Sequence, residues 1–271
     1  MDMNTEQKFS SLPEVPPAIV QSAAQNTQDL SQAAFGQRTM SFSSTQEPPA
    51  ITGIVKSSIL NRWATDAGFL IGEGAVSQNL AAFNVGKLGA FIWNNIDLSD
   101  GGKVHEVDLG VNYTVSKKIG HSAINFNFGA QTWLYPSDLL SSKSPYDVIA
   151  TATLSWSGPV TLSADYKHLF AGQSTEYPGE LLVFKVAKEK QLKEFSNGST
   201  LTLRVETQLP LRYNFFVKDG LSVPCVKPGV ALRWTDAKHL WEIELSAKDQ
   251  IGLSNGTRSQ GIAGFSVQRA W

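Results

Sequence analysis

Residues 122–136, SAINFNFGAQTWLYP, alternate in polarity with almost no slip. Ile124, Phe126, Phe128, Ala130 and Leu134 share one parity, and Asn125, Asn127, Gly129 and Gln131 share the other. Successive side chains of a β-strand point to opposite faces, so this segment has one oily face and one wet face. If the oily face is inside, the chain is a soluble β-protein; if it is outside, the chain sits in a membrane.

The same pattern recurs along the chain in segments of about ten residues separated by turn residues. Strands are expected at 54–63, 75–83, 87–98, 104–116, 122–134, 147–156, 160–170, 180–190, 199–209, 226–234, 239–248 and 261–271. Twelve is an even number, as an antiparallel barrel whose ends meet requires. Residues 1–50, rich in Gln, Ser, Pro and Ala, show neither a period of 2 nor of 3.6, and read as a disordered or low-complexity leader with a weak helical turn near 19–35. The Pro48-Pro49 pair marks the boundary, leaving 51–271 as a single β-barrel domain.

Bulk properties narrow the class. Lys and Arg total 23 against 24 Asp and Glu, a net charge of -1, so no global field favours nucleic acid. The single cysteine, Cys225, excludes an internal disulfide and a thiolate-rich metal site. No apolar run approaches the roughly 18 residues of a spanning helix. A membrane crossing by this chain therefore requires a closed barrel, which satisfies every backbone polar group in lipid. The N-terminal MDMNTEQKFSS has neither a basic start nor an apolar stretch, so no secretory signal is visible, which counts against export.

The links between strands carry the argument for a membrane. Tight links such as NVGK at 84–87, KKIGH at 117–121, SGP at 157–159 and TDAK at 235–238 alternate with longer ones, putting short and long connections at opposite ends. SDGGK at 99–103 is short for the long side, and QLKEFSNG at 191–198 is long for the short side. Transmembrane barrels show this asymmetry, with short periplasmic turns and longer external loops. Phe83, Tyr113, Trp156, Trp234, Trp241 and Trp271 gather on the oily parity near the short-turn end, as an interfacial girdle would.

The wet parity carries Glu106, Asp108, Asp165, Lys167, Arg204, Glu206, Arg233, Glu242, Glu244 and Lys248. Inside a barrel these charges line the lumen and pair across it; on a soluble barrel they are a solvated surface. Glu106 with Asp108, and Glu242 with Glu244, are same-face carboxylate pairs at i, i+2. Such pairs serve as acid and base or as a cation site, but strand alternation makes them cheaply, so lumen-lining salt bridges are the expected role. Trp133 fits least well: it lies on the wet parity near the long-loop end, where it is expected to narrow the lumen.

Two resemblances add to this reading. The ending GIAGFSVQRAW, with Ala263, Phe265, Val267 and Trp271 on one parity, resembles the C-terminal strand that the outer-membrane insertion machinery reads in Gram-negative barrels; Arg269 departs from that pattern. A strand ending in Trp93-Asn94, an acidic loop, an alternating strand opening with Glu106 and Asp108, and a Tyr135-Pro136 exit resemble a family of small porin-like bacterial outer-membrane barrels, over about residues 54–271. That resemblance implies a bacterial outer-membrane location and lipid contact, and carries no catalytic residues.

Enzymatic leads are weak. GLSNGTRSQG resembles the His-x-Ser-Asn-Gly motif of outer-membrane phospholipases, but Gly252 stands where the activating histidine belongs, two before Ser254. Asn255-Gly256 reads better as a turn. His105, His121, His168 and His239 are scattered, so no metal centre, catalytic residue or cofactor is expected. The sequence therefore predicts an all-β, antiparallel up-and-down transmembrane barrel with both termini on the periplasmic side. It is either a narrow porin-like channel for small solutes or a closed structural barrel. The alternative is a soluble β-barrel holding an apolar ligand.

Overall fold

The computed structural model describes residues 51–65, 70–72, 74–136, 146–170, 178–215, 220–236, 239–253 and 259–271. The expected leader at 1–50, its helical turn, and the turn at Asn255-Gly256 lie outside them. Twelve strands form the body: β1 (Ile51–Leu60), β2 (Val76–Val85), β3 (Leu88–Asp97), β4 (Lys103–Ile119), β5 (Ser122–Leu134), β6 (Tyr146–Ser157), β7 (Thr161–Leu169), β8 (Gly179–Glu194), β9 (Thr200–Tyr213), β10 (Cys225–Asp236), β11 (Trp241–Gly252) and β12 (Gln260–Ala270).

Each strand pairs antiparallel with its neighbours in sequence, and β12 pairs with β1 (Ser57 opposite Val267), so the sheet closes on itself. A two-residue strand, Leu221–Ser222, adds to the end of β9, and Trp63–Ala64 pairs with Leu70–Gly72 in the link after β1. Closure leaves the twelve-stranded sheet without a free edge strand.

All twelve expected strands are present, with shifted ends. β1 starts three residues earlier than the alternation suggested, because Gly53 and Trp271 exchange backbone hydrogen bonds at 3.1 and 3.0 Å. β8 runs on to Glu194 and β9 to Tyr213; the extensions are held by pairing between the two strands, from Glu180 opposite Tyr213 to Glu194 opposite Thr200. The polar run from Lys188 to Glu194 offers no alternation to read.

The tight links reverse the chain at one end. Gly86 and Gly120 adopt φ of 62° and 61°, a left-handed conformation that a glycine takes without steric cost. Between Asn95 and Ile96 the ladder with β4 carries a bulge that takes up His105 as an extra residue.

The outer wall is apolar: Val55, Ile92, Leu109, Val111, Phe126, Phe128, Leu154, Phe184, Val205, Val230, Leu245 and Phe265 are all exposed. Their neighbours along each strand point inward. In the opening segment, Phe126 and Phe128 face out, while Gln131 and Trp133 are buried inside.

One sector departs from this pattern. On β1 to β3 the inner wall is apolar, built from Ile54, Val76, Leu80, Ala82 and Trp93 with Leu60 and Phe91 against them. The outer wall there carries a polar row in which Ser57 Oγ donates to Asn79 Oδ1 at 2.8 Å and Asn79 Nδ2 donates to Asn94 Oδ1 at 2.9 Å. These two bonds link the polar row from strand to strand, which lowers the cost of placing it in apolar surroundings.

Candidate functional site: the barrel interior

Two charge systems occupy the interior, on different walls. The first is an ion-pair ladder across β8 to β11. Arg204 Nη1 lies 3.2 Å from Glu189 Oε1, Arg233 Nη1 donates to the same oxygen at 2.9 Å, and Arg204 Nε donates to Glu206 Oε2 at 3.1 Å. Arg233 Nε binds Glu244 and sits 3.8 Å from Glu242. Gln208 Nε2 extends the ladder by donating to Glu206 Oε1 at 2.7 Å. The register makes this possible: Arg204 stands opposite Glu189, and Arg233 opposite Glu244. These side chains keep part of their surface accessible, from 11% at Arg233 to 34% at Glu189.

The second system lies toward the long-loop end and is sealed. Glu106, Asp108, Asp165 and Lys167 are each 0% exposed. Lys185 Nζ pairs with Asp165 Oδ2 at 3.0 Å, so β8 supplies a partner for Asp165 from the neighbouring strand. Lys167 instead places its ammonium 5.5 Å from the centre of the Trp133 ring, and its charge acts on both Glu106 and Asp108. Tyr135 Oη donates to Asp147 Oδ2 at 2.9 Å beside them.

Above this cluster the interior is filled by apolar side chains. Trp133, Tyr135, Ile149, Leu169, Leu181, Val183 and Phe215 form one buried group, with the Trp133 and Phe215 rings edge to face at 6.3 Å. On the far wall Lys227 Nζ donates to the carbonyl of Thr65, tying the link after β1 to β10 across the barrel.

Of the residues singled out from sequence, Arg204, Glu206, Arg233, Glu242 and Glu244 come together, and Glu106, Asp108 and Lys167 come together separately. Glu189, Lys185, Asp147 and Tyr135 were not singled out. Glu189 and Lys185 sit on the wet parity of an expected strand, so alternation alone would have found them; Asp147 and Tyr135 sit at strand ends, where alternation fades.

The six aromatics lie on the outer wall at the short-turn end. Phe83 and Trp241 are exposed there, Tyr113 packs against Phe128 at 5.4 Å, and Lys87 approaches the Tyr113 ring. Trp271 covers Gly53, whose missing side chain is what makes room for the indole. Arg269, the residue that departs from the C-terminal pattern, lays its guanidinium 5.5 Å from the Trp241 ring centre. Among the described histidines, His105 meets Asp97 at 3.3 Å and His239 meets Asp236 at 2.7 Å; Ser254 lies outside the described residues.

A closed barrel with an apolar outer wall and charges sealed inside is inverted relative to a water-soluble barrel, and defines a transmembrane β-barrel. No protein-family model and no curated protein matches the chain. Among solved structures it is similar to the NanC porin, with 11% identity, 82% of this chain and 98% of that chain covered, and a TM-score of 0.45. It is also similar to an outer membrane channel from Pseudomonas putida F1, with 8% identity, 86% and 100% covered, and a TM-score of 0.48. A third is Salmonella typhi OmpF in complex with daunomycin, with 7% identity, 82% and 97% covered, and a TM-score of 0.37.

Proposed function

We propose that the chain is a bacterial outer-membrane barrel whose charge-lined interior passes small polar solutes. The observation that carries this reading is the contrast between walls: Leu245, Val230 and Val205 outside, Glu244, Arg233, Arg204 and Glu206 inside on the same three strands. On β8 to β11 alternation places on the inner face charges that lipid would not tolerate, and a water-filled path uses them. In this reading Glu106, Asp108, Asp165, Lys167, Arg204, Glu206, Arg233, Glu242 and Glu244 line the lumen. Phe83, Tyr113, Trp156, Trp234, Trp241 and Trp271 anchor the periplasmic interface. Lipid and the barrel-insertion machinery are its partners, and no catalytic step belongs to it.

Reconstitution into planar bilayers tests the channel: discrete conductance steps are expected, and their absence at every voltage removes the channel. A closed structural barrel is the second reading, favoured by the apolar group around Trp133 and Phe215 that fills the long-loop half. The soluble-barrel alternative is tested by fractionation. Recovery without detergent, and without heat-modifiable gel migration, would sink the membrane assignment.

A further inference from the structure

We propose that Glu106 and Asp108 form a binding site for a small ammonium cation inside the barrel. The inference deepens the channel reading by naming a solute class, and rests on that reading for the interior being reached by solutes.

The two carboxylates are anomalous within this protein. Glu242 and Glu244 have the same i, i+2 spacing and share Arg233. Glu106 and Asp108 are fully buried and lie within hydrogen-bonding reach of each other, but none of their four oxygens has a hydrogen-bond partner outside the pair. Two acids stripped of water with no donor beyond themselves are a costly arrangement for a protein to hold. Lys167 supplies one positive charge to both, while Asp147 adds a third carboxylate to the same neighbourhood.

A second observation is independent of the acids. Trp93 Nε1 and both polar atoms of the Asn95 amide are also buried without a hydrogen-bond partner. They stand directly across the strand pair from the acids: Trp93 opposite Asp108, Asn95 opposite Glu106. On the other side Asp108 stands opposite Trp133. Unmet acceptors, an amide able to accept or donate, and two indoles flanking one carboxylate converge on a single patch of inner wall.

The chemistry of that patch selects an ammonium. Its N–H groups match the carboxylates and Asn95 Oδ1, and indole faces attract cations. The protein shows the preference with its own side chain, since the Lys167 ammonium is 5.5 Å from the Trp133 ring centre. Among the described residues no group of three or more His, Cys, Asp or Glu is arranged to hold a metal ion, and Asp147 already accepts from Tyr135. A hydrogen-bonding cation fits better than a chelated one.

Methylammonium titrated calorimetrically into the folded full-length protein in detergent micelles, against sodium at equal ionic strength, tests this without requiring flux. Saturable binding is expected, weakened at least tenfold in the Glu106→Gln, Asp108→Asn double variant, whose neutral isosteres relieve buried charge and retain the heat-modifiable barrel. Lys167→Met is expected to bind at least threefold more tightly, because the internal competitor is gone. No saturable binding, or unchanged affinity in the double variant, overturns the site. Displacement by sodium with equal affinity overturns the ammonium class. Binding in micelles without conductance in bilayers removes the channel reading alone; conductance without binding removes the site alone.

Discussion

Trp93 and Asp108 stand opposite each other across the β3–β4 ladder, both completely buried, and the indole N–H has no hydrogen-bond partner although a carboxyl group is its cross-strand neighbour. Two groups that ordinarily satisfy one another are adjacent in register and yet do not meet. The opposite wall, where Arg233 engages three carboxylates, shows that the barrel can neutralise its interior acids where the register provides an arginine.

Arg233 is the hub of that wall. Arg233→Ala strips Glu244 of its arginine and leaves Glu189 with Arg204 alone, and is expected to cost about 3 kcal/mol, the scale of breaking a largely buried pair. Urea titration followed by the gel shift between folded and unfolded forms measures it. Arg233→Met with Glu244→Leu is expected to cost less than the sum of the single changes, because the stranded charge goes too.

Truncating the apolar filling separates a closed barrel from an occluded channel. Trp133→Ala with Phe215→Ala removes the edge-to-face pair at the long-loop end. Single-channel recordings are expected to show a conductance several-fold above the parent. Unchanged current with a folded barrel would mean that the restriction lies elsewhere.

At the seam between β12 and β1, a Cβ on Gly53 would come within 2.2 Å of the Trp271 ring. Gly53→Val is therefore expected to displace the indole and loosen the paired backbone hydrogen bonds between the two residues. The temperature at which the folded gel species disappears should fall, and by more than in Trp271→Ala, which removes the ring but leaves the backbone pairing free to form.

Leu245 lies near the middle of β11 on the outer wall, 56% exposed. Leu245→Arg is expected to cost about 2–4 kcal/mol in a bilayer, the range for a guanidinium at the midplane of a lipid-facing strand. Folding titrations into vesicles measure it, and a change within a few tenths of a kcal/mol would contradict the assignment of this wall to lipid.

Tyr135→Phe deletes the hydroxyl that donates to Asp147 in the sealed half. A loss of about 1–3 kcal/mol is expected, the cost of leaving a buried acceptor short of a donor. The same urea titration reads it, and Asp147→Asn combined with it should recover part of the loss.

Much of the architecture was legible before any coordinates. Phe126 and Phe128 against Asn125 and Asn127 declare a strand because side-chain direction along a strand is local, repeating every two residues. The links at Gly86 and Gly120 declare tight reversals because few residues adopt that backbone geometry. Less legible was the sector of β1 to β3, where Val76, Leu80 and Trp93 turn inward and Asn79 and Asn94 turn outward while Val55 and Ile92 stay on the outer wall: apolar residues occupy both faces there, and parity carries no label for inside and outside.

The sequence by itself determined twelve alternating strands, their turns and the residues sharing each face. Only the tertiary structure decided which charges meet. Glu189 and Arg233 are 44 residues apart and meet across β9, while Asp108 stands opposite Trp93 and Trp133 with no arginine in register. Facing is set by each strand's own two-residue period, but pairing depends on the register between strands and on barrel closure, which no single strand encodes.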